Sequence, residues 1–384
     1  MIRLPIKKLR PGMITSQSIY NARGASYLTK GIALNQQYIS RLGKIGIPQV
    51  NVTALSPNLK LMPPEDIVQE KTRIIAVHRI FNAFQDVSEN STINLDSLKD
   101  IAETILFDLI ARRQNLVQLT DIRLNDSYTF THSVNVAILA TMLGLLCRYS
   151  KGNLMDLALG GFLHDIGKTT IPPEILAKTS RLSQNEYDII RMHPEAGRQK
   201  LHNLNLPISA LVSTIAAQHH EHIDGSGYPN HLSGNHVHRF ARIVAIADVY
   251  DALTSDRPYK KAYSPFVAYK LMTMCSAGQF DEELLRLFFD NVAIYPVGTI
   301  LRTKMGYAIV RQVTFGRTRT PIICLFTDRN THVLPKPLFI DLAQCPPDTI
   351  EQVLDDNELY RLIQEIKIDP AAFIGPQSQS SSTR

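Results

Sequence analysis

Eleven of the chain's twelve histidines fall between His132 and His332, and several stand beside an acid. Five features follow one another: His132; His164-Asp165 within HDIGK; His193-Pro194; His219-His220-Glu221; and Asp248 within IADVYDALTSDRPY. Most lie in, or close, an apolar run of helical texture, as in GGFLHD, VSTIAAQHH and RIVAIAD. Ionisable groups after such runs are costly to bury unless paired or metal-bound. One histidine of this kind is more often a satisfied core residue than a ligand, but six or seven converging in one helical region reverse that balance. Imidazole and carboxylate donors without thiolates suit iron, manganese, nickel or zinc and disfavour a structural zinc site. The adjacent pairs His164-Asp165 and His219-His220 can serve two neighbouring cations, since a carboxylate can bridge. That donor set matches two-metal hydrolysis, in which cations about 3.5–4 Å apart clamp a phosphoryl group. Lys168, three residues past Asp165, falls on the same side of a helical turn, where its charge can neutralise a phosphate oxygen.

The elements that must position these residues are mainly helical. Between about Leu116 and Asn291 the periodicity predicts helices near 128–147, 154–164, 184–200, 207–220, 238–255, 264–277 and 281–291. No strand–helix alternation occurs there, which argues against a parallel sheet. Residues 1–62 read as a small α+β domain, with a helix over Gln36–Ile45 between short strands at Ser26–Thr29 and Gln49–Thr53. Pro57, Pro63 and Pro64 then mark a linker, and residues 63–115 read as a helical linker interrupted near Ser88–Asn94. After Tyr295-Pro296 the texture turns to short strands at Thr299–Arg302, Tyr307–Val313, Ile322–Phe326 and His332–Leu334, a small β-rich extension over 295–350. Residues 351–384 read as a helix and a Ser/Gln-rich disordered tail. The expected fold is therefore mainly α: an all-helical bundle over 116–294 with a small N-terminal α+β domain and a small C-terminal β-rich appendage.

Composition bounds the class. With 384 residues, 44% of them hydrophobic and 20% charged, the chain can bury a sizeable core, which excludes a disordered, collagenous or disulfide-stapled protein. The longest nearly apolar run, Val134–Cys147, is shorter than the roughly 20 residues of a membrane span. The first residues, MIRLPIKKLRPGM, contain no signal-like stretch, and the four cysteines show no metal spacing. A soluble cytoplasmic protein with reduced thiols is expected. The net charge of +6 resides in residues 1–64, which hold nine basic side chains and no acid. An anionic partner for that segment is an option, and a solvated basic face is the simpler account.

The blocks YTFTHSVNVA (128–137), HDIGK (164–168), MHPEAG (192–197), HHEHIDGSGYP (219–229) and ADVYDALTSDRPYKKA (247–262) together resemble the HD-GYP branch of the HD phosphohydrolase superfamily, the cyclic di-GMP phosphodiesterases. Residues 1–60 resemble a domain of unknown function found before such modules, with a presumed sensory or regulatory role. The resemblance implies a binuclear site of iron or manganese. Its metal ligands would be His132, His164, Asp165, His193, His219, His220 and Asp248, with Asp165 bridging. Asp165 and Lys168 would be the catalytic pair. Lys168, Gly227, Tyr228, Asp251, Arg257 and Lys260 would contact substrate, although Asp251, like Asp224, fits an orienting or capping role equally well. Where some members place a third-metal Glu, one turn before the first ligand histidine, this chain has Tyr128. A phenol stays protonated near neutral pH, so two cations are expected. The implied reaction is hydrolysis of cyclic di-GMP to linear pGpG, with GMP as a further product left open, in bacterial second-messenger signalling. A low-turnover cyclic di-GMP receptor, or a phosphohydrolase for another cyclic dinucleotide, is the alternative. A homodimer and a signalling partner reached through the basic N-terminal domain are open. Nucleic acid is not expected, because no helix-turn-helix or zinc-finger spacing occurs.

Overall fold

The structure is a computed structural model describing residues 2–16, 18–20, 26–45, 47, 49–52, 67–89, 91–112, 128–178, 180–204, 208–255, 262–275, 278–368 and 370–373. The chain divides into two compact units. One comprises 66–116 and 126–289 and is helical; the other joins 1–65 and 117–125 to 290–384.

The helical unit is built around Tyr128–Leu146, whose residues from Val134 to Leu143 are all buried. A helix apolar on every side must lie inside a bundle. Glu70–Ser88, Leu95–Ala111, Lys151–Leu163 and Arg239–Thr254 pack against it, while Ala210–Gln218 packs on Lys151–Leu163 and carries His193–Asn203. The first two occupy the stretch expected as a linker, yet they belong to the bundle. Phe130 packs edge-on against Phe81 and Phe84 of Glu70–Ser88, at ring-centroid distances of 5.2 and 5.5 Å. Asp108, buried on Leu95–Ala111, accepts from the Gln69 amide at 3.0 Å and the Thr72 hydroxyl at 3.1 Å. It thereby satisfies the donor-rich N-terminus of Glu70–Ser88. The expected helix over 184–200 is two helices, Gln184–Arg191 and His193–Asn203. Pro194 explains the break, since proline suits only the first turn of a helix.

In the other unit, five strands form an antiparallel sheet in the order Val333–Asp341, Arg317–Thr327, Gly306–Thr314, Ile300–Thr303, Ile350–Val353. Ile2–Pro5 pairs with Gln49–Val52, and helix Gln36–Lys44 buries Ile39 and Leu42. The N-terminal and C-terminal segments, expected as separate domains, share one core. Leu4, Leu42 and Val52 cluster with Ile300, Phe326 and Leu362. Among the described residues, no helix is long and apolar enough to cross a membrane. The expected Pro-rich linker and the Ser/Gln-rich tail lie outside the described residues.

Candidate metal centre

Helix ends deliver most of the site. His164 closes Lys151–Leu163 and Asp165 opens the short 3₁₀ turn Ile166–Thr170. His193 begins His193–Asn203, and His219 closes Ala210–Gln218 with His220 next to it. His132 and Asp248 come from within Tyr128–Leu146 and Arg239–Thr254. Gly167 locks two of these ends together: a Cβ there would lie 1.9 Å from the His193 carbonyl oxygen and 2.5 Å from the Gly197 nitrogen. No other residue permits that approach.

All seven expected ligands meet. The five imidazoles form a contiguous array with ring centroids 4.1–5.4 Å apart. Asp165 belongs to two donor groups, one with His193, His219 and His220 and the other with His132 and His164. Asp248 lies 3.1 Å from His132 Nε2 and 3.9 Å from His220 Nδ1.

The hydrogen bonds decide where the lone pairs point. The Nδ1 atoms of His164, His193 and His219 donate to the carbonyls of Gly161, Ile190 and Ala216 at 2.8, 2.7 and 2.9 Å. A carbonyl only accepts, so each Nδ1 carries its proton, and in the neutral ring each Nε2 presents a lone pair inward. His193 Nε2 and His219 Nε2 then face each other at 3.3 Å, and neutral rings in this tautomer cannot donate across that gap. His164 Nε2 and Asp165 Oδ1 are buried without a hydrogen-bond partner. A buried pocket rich in acceptors and poor in donors is stable only with positive charge inside it. These residues therefore fit divalent cations, and thiolate-free N/O donors fit the harder transition metals.

The electrostatics agree. Burial alone would raise Asp165, but the Lys168 ammonium beside it holds its carboxyl well below the usual carboxylate range. Burial lowers the imidazoles of His219 and His220, the latter to about 3, so both are neutral donors. Burial would also lower His132, yet hydrogen bonds to Asp248 and Asp251 raise it to about 10. A proton there occupies the position that suits a cation. Lys168 Nζ sits 2.6 Å from Asp165 Oδ2, with its side chain 30% exposed, so it bridges the buried carboxylate and the open side.

Of the expected substrate contacts, Gly227 and Tyr228 border the site. A Cβ on Gly227 would lie 2.3 Å from the His222 nitrogen, so only glycine allows the turn. Tyr228 stacks on His220 at 4.7 Å, and burial raises its phenol, which stays protonated. Asp251 differs from its expectation as a substrate contact. It is buried, with Oδ2 accepting from His132 Nδ1 at 2.7 Å and Oδ1 from Asn135 at 2.8 Å and Ser255 at 3.0 Å. Its oxygens are occupied in orienting His132, which is the alternative role the sequence left open. Asp224 caps its own turn by accepting from the Ser226 amide and hydroxyl. Arg257 and Lys260 lie outside the described residues.

Sequence reasoning gave no role to three side chains. Glu221, buried beside the ligands, accepts from the Asn230 and Leu232 amides at 2.7 and 2.9 Å and so pins the loop after Gly227. Its place in HHE was the available signal. Arg191 lies 5.0 Å above the Tyr228 ring, two residues before His193. Asn135, one helical turn from His132, carried no signal beyond being polar in an apolar run.

Comparisons with known proteins agree with this geometry. The profile of the HD domain family matches residues 96–284. A cyclic di-GMP phosphodiesterase of Pseudomonas aeruginosa is 34% identical over 266 residues, 69% of this chain and 64% of that protein. A cyclic di-GMP phosphodiesterase of Thermotoga maritima is 33% identical over 48% of this chain and 49% of its own length. A 3'3'-cGAMP-specific phosphodiesterase of Vibrio cholerae is 38% identical over 44% and 39%. The chain thus spans less than two thirds of each of these relatives. In fold, an HDG"Y"P protein from Bdellovibrio bacteriovorus superposes with a TM-score of 0.50 over 75% of this chain and 98% of that one, at 19% identity. Ligand pattern and family profile point the same way: residues 96–284 match the HD domain family, and the fold is like that of the HDG"Y"P protein.

Proposed function

We propose that the chain hydrolyses a phosphodiester bond of cyclic di-GMP to give linear pGpG, using two divalent cations, iron or manganese. The observation that carries this reading is the buried acceptor-rich cluster shared through Asp165, with Lys168 on its open side. The ligands would be His132, His164, Asp165, His193, His219, His220 and Asp248. Cations held by them supply Lewis acidity, acidifying water and neutralising phosphoryl charge. The protein's own part is positional. Backbone carbonyls hold three imidazoles in one tautomer. Lys168 offers its ammonium to a non-bridging phosphoryl oxygen as charge builds there. Tyr228, protonated and stacked on His220, offers a ring face and a donor to the substrate. Arg257 and Lys260 are retained as nucleotide contacts from their place in the motif.

The cGAMP-specific relative makes a second cyclic dinucleotide a specific competitor. The test is anaerobic purification of the full chain, metal analysis and product identification with cyclic di-GMP and 3'3'-cGAMP in parallel. Faster turnover of cyclic di-GMP to pGpG supports the proposal. Preference for 3'3'-cGAMP replaces the substrate, and tight binding without turnover replaces the enzyme by a receptor.

A further inference from the structure

We propose that Arg73 is a positioning residue of this centre, acting through Asn135 and Asp251 to fix which nitrogen of His132 faces the cations. The inference rests on reading the cluster as a metal centre. Arg73 projects from Glu70–Ser88, which precedes the residues matched by the HD profile. It is buried, 3% exposed, and its Nη1 donates to Asn135 Oδ1 at 2.8 Å. Asn135 Nδ2 donates to Asp251 Oδ1 at 2.8 Å, and Asp251 Oδ2 accepts from His132 Nδ1 at 2.7 Å. His132 Nε2 is left toward Asp248 at 3.1 Å.

This relay has a direction. A guanidinium has donors and no acceptor, so only the amide oxygen of Asn135 can face Arg73. The amide NH₂ must then face Asp251. A carboxylate accepts only, so it takes the proton of Nδ1, and Nε2 is the nitrogen left to face the cations. An amide turned end for end would oppose NH₂ to the guanidinium and oxygen to the carboxylate. Arginine cannot lose its proton in a protein, so the polarity set at Arg73 does not reverse. Partners one shell behind a metal ligand typically change metal affinity by about 10–100-fold when removed.

The experiment titrates the full chain with Mn²⁺ alone, without nucleotide, by calorimetry, and records apoprotein melting separately. Arg73→Met should weaken Mn²⁺ binding about 10–100-fold, and Arg73→Lys should recover part of it. In an Asp251→Asn background, Arg73→Met should cost less than about twofold more, because the relay is already cut. A purely structural arginine would lower the melting temperature and leave Mn²⁺ affinity alone, or would add its full loss in both backgrounds. Either result overturns the proposal. If Arg73→Met does not fold, Asn135→Ala cuts the same relay, and unchanged Mn²⁺ affinity there overturns it equally. Failure of the unsubstituted chain to bind Mn²⁺ overturns both readings, whereas insensitive variants overturn this one only. Substrate turnover enters none of these outcomes.

Discussion

Asp165 is held ionised in a buried setting by Lys168, and it is the member common to both donor groups. Asp165→Ala should remove bound metal and abolish turnover, as read by metal analysis and a product assay; full activity in a metal-loaded variant would contradict the assignment. Lys168→Ala should keep its metal and lose about 10²–10³ in kcat, the usual loss for one donor to a developing oxyanion. A fall in metal content would instead make Lys168 a structural partner of Asp165. At this scale the sequence was most legible. Histidines and acids are expensive to bury, so their position after apolar runs already marked them as ligands. Asp251 was legible only as a carboxylate, because its role depends on His132 and Asn135, 119 and 116 positions away in the chain. Nothing local announces such pairings.

Helix ends carry the donors, so the elements matter through where they stop. Asp108 caps Glu70–Ser88 from a neighbouring helix, and Asp108→Ala should cost about 2 kcal/mol by leaving buried donors without a partner. Urea unfolding checks this, and an unchanged midpoint would show the cap to be idle. The capping box Ser183–Glu186 is tied to Lys178, whose hydrogen bond brings the Glu186 carboxyl from 4.5 to about 2. The folded value lies below the unfolded one, so this stabilisation is complete above pH about 4.5 and is lost as pH falls toward about 2. An NMR titration of the Glu186 carboxyl should show its inflection near 2, and one near 4.5 would remove the effect. Helix periodicity was readable from the apolar spacing, whereas several strands were not. Val333–Asp341 was expected only as His332–Leu334, because Pro335 and Pro337 argue against a strand interior. It is the edge of its sheet, where missing N–H donors cost little. Ile350–Val353 and Ile2–Pro5 are four residues each and are defined by pairing partners far along the chain.

The two ends of the chain build one core, and a sequence read segment by segment cannot show that. Leu362, buried with Leu4 and Phe326, should cost about 2–5 kcal/mol when changed to Ala, while metal stoichiometry stays the same. Calorimetric melting of the two forms checks the first half and metal analysis the second; a loss of metal would tie that core to the centre. Residues 63–115 were read as a linker because amphipathic helices alone do not reveal what they pack against, and Arg73 shows that they reach the site. Everything functional depends on the acceptor-rich cluster being a home for cations. The most direct measurement is anomalous X-ray scattering at the iron and manganese edges from crystals of the anaerobically purified chain. Two peaks about 3.5–4 Å apart, flanking Asp165 and ringed by His132, His164, His193, His219, His220 and Asp248, are the predicted result. The absence of any anomalous peak there after loading with Mn²⁺ would contradict it.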